Sequence, residues 1–191
     1  MWAPDGLSLM GEKVKSKLRR CGEGVKIHPL AKVCKPEAVS LGDHCTLGDF
    51  VFIWGGQETT IGPHSHIQVH CKIWGGGRTI IGSYVSVGLG STLLSAVYDY
   101  KLGLRMVDHL PEGHTNTLFG TLQIGDDAYI GADCTILPVK IGEGAVVGAR
   151  SVVNKDLDPW GVYVGSPAKK VGERNPEIIN QLREGVWQCI S

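Results

Sequence analysis

Aromatic residues make up only 7% of this 191-residue chain, and neither charge sign is in excess: 19 Lys and Arg offset 19 Asp and Glu. A formal net charge of zero removes the electrostatic case for nucleic acid or an anionic membrane as partner. Every apolar run is far shorter than the ~20 residues of a membrane span, so no membrane insertion is expected. No signal peptide is visible at the N-terminus, which makes the cytoplasm the expected location. The six cysteines, at 21, 34, 45, 71, 134 and 189, form no Cys-x-x-Cys pair. That argues against a zinc knuckle or redox couple. Neither Gly-x-Gly-x-x-Gly nor a P-loop occurs, so a nucleotidyltransferase domain is not part of the chain.

Glycine, in contrast, is plentiful at 27 residues, and it recurs in rhythm. Ile-Trp-Gly-Gly at 53–56 returns at 73–76, 20 residues later. Around both copies an aliphatic residue leads every sixth position or so, often followed by Gly: Leu41, Leu47, Ile53, Ile61, Ile67, Ile73, Ile81, Val87 and Leu93. After a break the series resumes with Ile124, Ile130, Ile136, Ile141, Val147 and Val153. Units this short cannot bury a core alone and must stack. Three strands per turn, with two extra residues at one corner, give a triangular coil of about 20 residues whose leads point inward. The fold class expected is an all-β solenoid. Cys45, Cys71 and Cys134 share one place in the repeat, four residues after a lead, with Ser65, Ser91 and Ser151; small residues packed in a corner explain them better than nucleophiles do.

Three segments depart from the rhythm. Residues 1–24 include LSLMGEKVKSKLRR at 7–20, read as a short basic helix capping the open end of the stack. The coils are expected over 25–158, interrupted by a polar and aromatic excursion at about 97–120, where Ile81 and Ile124 lie 43 apart. A loop of that length without its own repeat is usually functional. Residues 159–191 form a return segment and a final helix, with Asn175 as N-cap, Pro176 in its first turn, and Ile178, Ile179, Leu182, Val186 and Trp187 on one face.

The stretch IGDDAYIGADCTILPVKIGEGAVVGARSVVNKDLDPWGVYVGSPAKKVGER resembles the C-terminal signature of the hexapeptide-repeat sugar acetyltransferases, which fold as left-handed parallel β-helices, and most closely those that modify surface polysaccharides. The resemblance implies the handedness, a homotrimer, and acetyl-CoA as co-substrate in the groove between subunits, with no metal required. By that resemblance Ala132 and Ala149 would present backbone groups to the pantetheine arm, Asn154 and Lys155 match the Thr-Lys often found in the acetyl-CoA groove, and Lys155, Lys169 or Lys170 would meet a CoA phosphate.

Acetyl transfer to a hydroxyl needs a general base, and His is the usual choice. Many relatives carry it at the start of the excursion, where this chain reads Ser95-Ala96-Val97-Tyr98-Asp99-Tyr100. It resembles instead a subgroup with an Asp-Tyr pair there and a His one coil earlier. That subgroup implies His66 as base with Asp99 orienting it, and Tyr98, His109, His114 and Asn116 at the sugar; His109 or His114 are the alternative bases. His64, His66 and His70 also suggest a metal, since one carbonic anhydrase family shares the fold. A corner separates His70 from the other two, which opposes convergence on zinc.

The expected function is transfer of acetyl from acetyl-CoA to a sugar hydroxyl in surface polysaccharide biosynthesis. The alternative is N-acetylation of a nucleotide-linked amino-deoxysugar, which needs no essential His. A reading of another class is a non-catalytic or metal-binding β-helix homologue.

Overall fold

The computed structural model describes residues 8–107 and 110–185. The chain winds as a β-solenoid of about seven turns, and each turn adds a short strand to each of three sheets. One sheet runs from Ser8–Met10 through Lys32–Cys34, Phe52–Trp54, Lys72–Trp74 and Thr92–Leu94 to Thr135–Ile136 and Val152–Val153. We call it the aromatic face. The charged face stacks Arg20–Cys21, Val39–Leu41, Glu58–Ile61, Arg78–Ile81, Thr121–Ile124 and Lys140–Ile141. The histidine face runs from Lys26–Ile27 through Thr46–Leu47, His66–Ile67, Ser86–Val87, Tyr129–Ile130 and Val146–Val147 to Gly161–Val164 and Lys169–Glu173.

The aliphatic leads turn inward in every coil. Ile53, Ile73, Leu93 and Ile136 form one fully buried ladder, Leu47, Ile67, Val87 and Ile130 another. Each such side chain removed from water stabilises the stack by about 1.5–3 kcal/mol. Register confirms the expected 20-residue coil: Ile73 pairs with Ile53, and Ile81 with Ile61. Beyond the excursion the coil is shorter. Ile124 pairs with Ile141, Ile130 with Val147 and Ile136 with Val153, each 17 residues on. The missing residues come from the corner at Leu137-Pro138-Val139.

The corner cysteines and serines do more than fit. Their side chains donate to a glycine carbonyl: Cys45 Sγ to Gly62 O at 2.9 Å, Ser65 Oγ to Gly82 O at 2.8 Å, Cys71 Sγ to Gly88 O at 3.1 Å and Cys134 Sγ to Gly148 O at 3.2 Å. Burial pushes all three thiols up from 9.0, Cys71 to about 11. A neutral thiol is the donor these carbonyls need.

Both ends differ from expectation. The short N-terminal helix is of 3-10 type and covers only part of the basic segment. Ser8–Met10 pairs antiparallel with Lys32–Cys34, and Gly11–Lys17 forms a 3-10 turn with Val14 fully buried. Gly11, at φ 59°, breaks the run, and pairing with an open sheet edge satisfies more backbone groups than a solvated helix would. At the other end Glu177–Arg183 is helical, and Asn175 Oδ1 accepts from Glu177 N at 2.9 Å, as an N-cap does. The helix's apolar face is packed only in part: Ile179 is half-buried, Ile178 and Leu182 are exposed, and Val186 and Trp187 lie outside the described residues. The helix is held by Arg183, which pairs with Asp127 and Glu143.

Candidate active site

The excursion leaves the stack at one corner of the prism. In the two preceding coils that corner is the Trp-Gly-Gly repeat; in the third, Ser95 and Gly120 form a neck around the insertion. Gly120 N donates to Ser95 O at 2.9 Å, and Ser95 N to Trp74 O at 2.9 Å. From the neck rises a hairpin, Ala96–Tyr98 against Thr117–Phe119. It gathers three residues singled out from sequence. Tyr98 pairs with Thr117, and Asp99 N donates to Asn116 O at 3.0 Å. Asp99 Oδ1 accepts from Lys101 N at 2.9 Å, capping the turn Tyr100–Leu102. His114 is exposed and its amide donates to Pro111 O. Beside it Thr115 Oγ1 is buried with no hydrogen-bond partner. His109 lies outside the described residues.

His66 stands elsewhere. It projects from the middle of the histidine face, in register with Thr46 and Ser86; its amide donates to Val85 O at 2.8 Å, and its exposed side chain has no hydrogen-bond or ring partner among the described residues. No hydrogen bond or ion pair joins it to Asp99 within the chain. The three histidines of the metal reading are also spread out. His64 stacks between His44 and Tyr84 on one corner, at 5.0 and 4.9 Å between centroids. His70 stacks on Phe50 at the next corner, and His66 lies on the face between. No group of three metal-binding side chains occurs among the described residues.

Ala132 and Ala149 occupy equivalent places in successive coils, at the corner between the histidine and aromatic faces. Their amides have no intramolecular acceptor among the described residues, while the neighbouring Asp133 and Arg150 amides bond to Leu89 O and Ala132 O at 2.8 Å. The corner geometry itself frees such amides, since Val69 and Leu89 share it. What distinguishes the last coils is the small side chain, which lets a thin ligand approach. Asn154, Lys155 and Lys169 lie exposed on the last turns, and neither lysine is ion-paired among the described residues; Lys170 bonds Glu173 at 3.0 Å.

The aromatic face carries Phe52, Trp54 and Trp74 on its outer surface, with ring centroids 5.5 Å apart for Phe52–Trp74 and 5.9 Å for Trp54–Trp74. Phe52 and Trp74, with Phe50, His70 and Leu94, border a hollow of about 460 Å3. The signal was present as Phe-x-Trp at 52–54 and Lys-x-Trp at 72–74, positions flanking inward leads.

Comparison with known proteins places these elements in a family. A model of the hexapeptide repeat of succinyl-transferase matches residues 122–155. Over 160 residues the chain is 33% identical to a dTDP-4-amino-4,6-dideoxy-D-glucose acyltransferase of Escherichia coli, covering 83% of each. A chloramphenicol acetyltransferase of Klebsiella aerogenes is 44% identical over 70 residues, which is 33% of that protein's length. Among solved structures, AntD, an N-acyltransferase from Bacillus cereus in complex with dTDP and 3-hydroxybutyryl-CoA, superposes with TM-score 0.84 at 29% identity, covering 92% of this chain and 93% of AntD. A variant of AntD has been solved with dTDP-4-amino-4,6-dideoxyglucose and coenzyme A. Repeat, coil architecture and near full-length relatives agree: the chain belongs to the hexapeptide-repeat acyltransferases.

Proposed function

We propose that this protein transfers an acyl group, acetyl in the first instance, from acyl-CoA to the amine of a sugar carried on a nucleoside diphosphate. The observation that carries this reading is the near full-length likeness to two acyltransferases whose names include a dTDP-linked 4-amino sugar or dTDP itself. The separation of His66 from Asp99 in the chain supports it. A sugar hydroxyl needs a positioned base, whereas a neutral amine attacks with its own lone pair. The nitrogen attacks the thioester carbonyl, the N–C bond forms and the C–S bond breaks. The proton lost by nitrogen matches the one that the departing thiolate takes up. Free corner amides near Ala132 and Ala149 suit the pantetheine arm, and backbone N–H donors suit the oxyanion. Asn154, Lys155 and Lys169 are assigned to the CoA phosphates. Tyr98, Asn116 and His114, with His109, are assigned to the sugar, and Asp99 to its neutral amine as a hydrogen-bond acceptor.

The hydroxyl acceptor of surface polysaccharide synthesis stands as the second reading. It is favoured by the open imidazole of His66, which Asp99 of a neighbouring subunit would have to orient. Both readings use the homotrimer that the family resemblance implies, and both place the protein in the cytoplasm, where acyl-CoA is made. No described helix is long and apolar enough to cross a membrane.

The test is CoA release with acetyl-CoA and dTDP-4-amino-4,6-dideoxyglucose, against its 4-hydroxy counterpart, for wild type and His66→Ala. Amide formation that survives in His66→Ala is the expected result. Turnover confined to the hydroxyl sugar and lost in His66→Ala would install the second reading.

A further inference from the structure

The hollow on the aromatic face is lined by none of the residues assigned to acyl-CoA or to the excursion hairpin, and lies two coils before Ala132 along the stack. It begins where a ladder of rings stops. At the corner between the histidine and aromatic faces, Phe50 and His70 hold left-handed backbone (φ 60° and 61°) and stack with centroids 4.7 Å apart and planes 2° from parallel. The following coil puts Gly90, φ 73°, at the equivalent place. No ring continues the ladder over His70. A Cβ on Gly90 would overlap Asp133 Oδ1, so an acceptor closes the corner above the gap.

The adjoining floor is Phe52, Trp74 and Leu94, with Lys72 and Thr92 along it. Lys32 Nζ lies 6.0 Å from the Phe52 ring centre. Among the described residues no carboxylate lines the hollow. Its volume falls in the range of small-molecule sites, about 300–1,000 Å3. Flat rings at stacking distance and a lysine in this lining, with the Asp133 carboxylate outside it at the corner above, match one chemistry: a planar heterocycle joined to an anionic tail.

We propose that this hollow is the nucleobase subsite for the acceptor, with the base stacked on the open side of the Phe50–His70 ladder and Lys72 at the diphosphate. The proposal rests on the reading of a nucleotide-linked acceptor. It also fixes a direction. Ala132 lies two coils beyond His70 on the same corner, about 10 Å along the stack at the usual strand spacing. The diphosphate and sugar run along that interval, and the sugar amine meets the thioester at its far end.

The experiment is calorimetric titration of the full chain with dTDP, and separately with CoA, for wild type, Phe50→Asn, His70→Asn and Lys72→Ala. Asn tolerates left-handed backbone, so the two corner variants keep the fold. Loss of one stacking ring weakens dTDP binding by about 5- to 100-fold, leaving CoA binding unchanged. Lys72→Ala weakens dTDP and flattens its salt dependence. In turnover, KM for the dTDP-amino sugar rises and KM for acetyl-CoA does not. Unchanged dTDP affinity in both corner variants overturns the subsite. So does loss of dTDP binding only together with dissociation of the oligomer, by light scattering, which would give the face to a second copy of the chain. A wild type that acylates the amino sugar, with variants that keep its KM, overturns the subsite and leaves the acceptor reading standing. A wild type that neither binds dTDP nor acylates the amino sugar overturns both.

Discussion

His70 lies flat on Phe50, one full coil away in sequence, with planes 2° from parallel. The coils rise at the strand spacing of roughly 4.8 Å, close to the stacking distance of aromatic rings. A ring at one corner position therefore meets its equivalent in the next coil without adjustment. The same arithmetic builds the His44–His64–Tyr84 stack on the neighbouring corner. All five residues hold positive φ, a conformation that costs an L-residue about 1–2 kcal/mol; stacking offsets part of that.

At His64, φ 57° and sandwiched between two rings, a β-branched residue suffers twice. His64→Val should lose about 2 kcal/mol or more in urea unfolding, and His64→Asn about 1 kcal/mol, since Asn keeps the backbone and gives up only the stack. Equal losses in the two variants would mean that left-handed backbone is not what the corner demands.

The corner thiols set a pH limit. Cys71 is fully buried and its thiol is pushed from 9.0 up to about 11 by burial. A folded-state value above the unfolded one favours the protonated form in the native protein. The stabilisation is complete below pH 9 and is lost as pH rises from 9 to 11. Thermal melts should hold steady from pH 7 to 8.5 and drop above 9, less steeply in Cys71→Ser. Native Cys71 should also resist a thiol reagent at pH 8 until the chain is unfolded.

Gly77 sits at the neck of the excursion, where a Cβ would overlap both Gly120 O and Ser95 O. Both obstacles are backbone, so neither can rotate away. Gly77→Ala should destabilise the protein by about 3 kcal/mol or more, at or beyond the upper end of the usual range for single substitutions, and disturb the hairpin with it. Circular dichroism melts alongside sugar KM would register both. By contrast Gly113, whose surroundings are open, should accept Asn with little change.

Arg183 ties the last helix to Asp127 and Glu143. These are surface pairs, so Arg183→Ala should cost global stability only about 0.5–1 kcal/mol. Amide hydrogen exchange across 177–183 should accelerate far more, because Ile178 and Leu182 are exposed and do not anchor the helix. Unchanged exchange would mean that the helix is held by something other than Arg183.

The coil was legible because burial imposes it residue by residue. Each lead, from Ile27 to Val153, must be aliphatic to fill a triangular interior, and that requirement is written at a fixed interval. The excursion was legible as the place where the interval fails. The N-terminal segment misled because its apolar spacing suits a helix, while the backbone needs of an open sheet edge decided the outcome. Tyr98 and Asp99 are distant from Asn116 in sequence, and the hairpin brings them together; no such pairing joins His66 to Asp99, because the winding puts a corner between them.

The sequence by itself thus determined the repeating coil, its interior and the point of insertion, since each depends on a residue and its near neighbours. Only the tertiary structure decided which outward side chains meet. Phe50 touches His70 and Phe52 touches Trp74 because coils stack in register. An outward ring carries no local signal of what the next coil will set beside it.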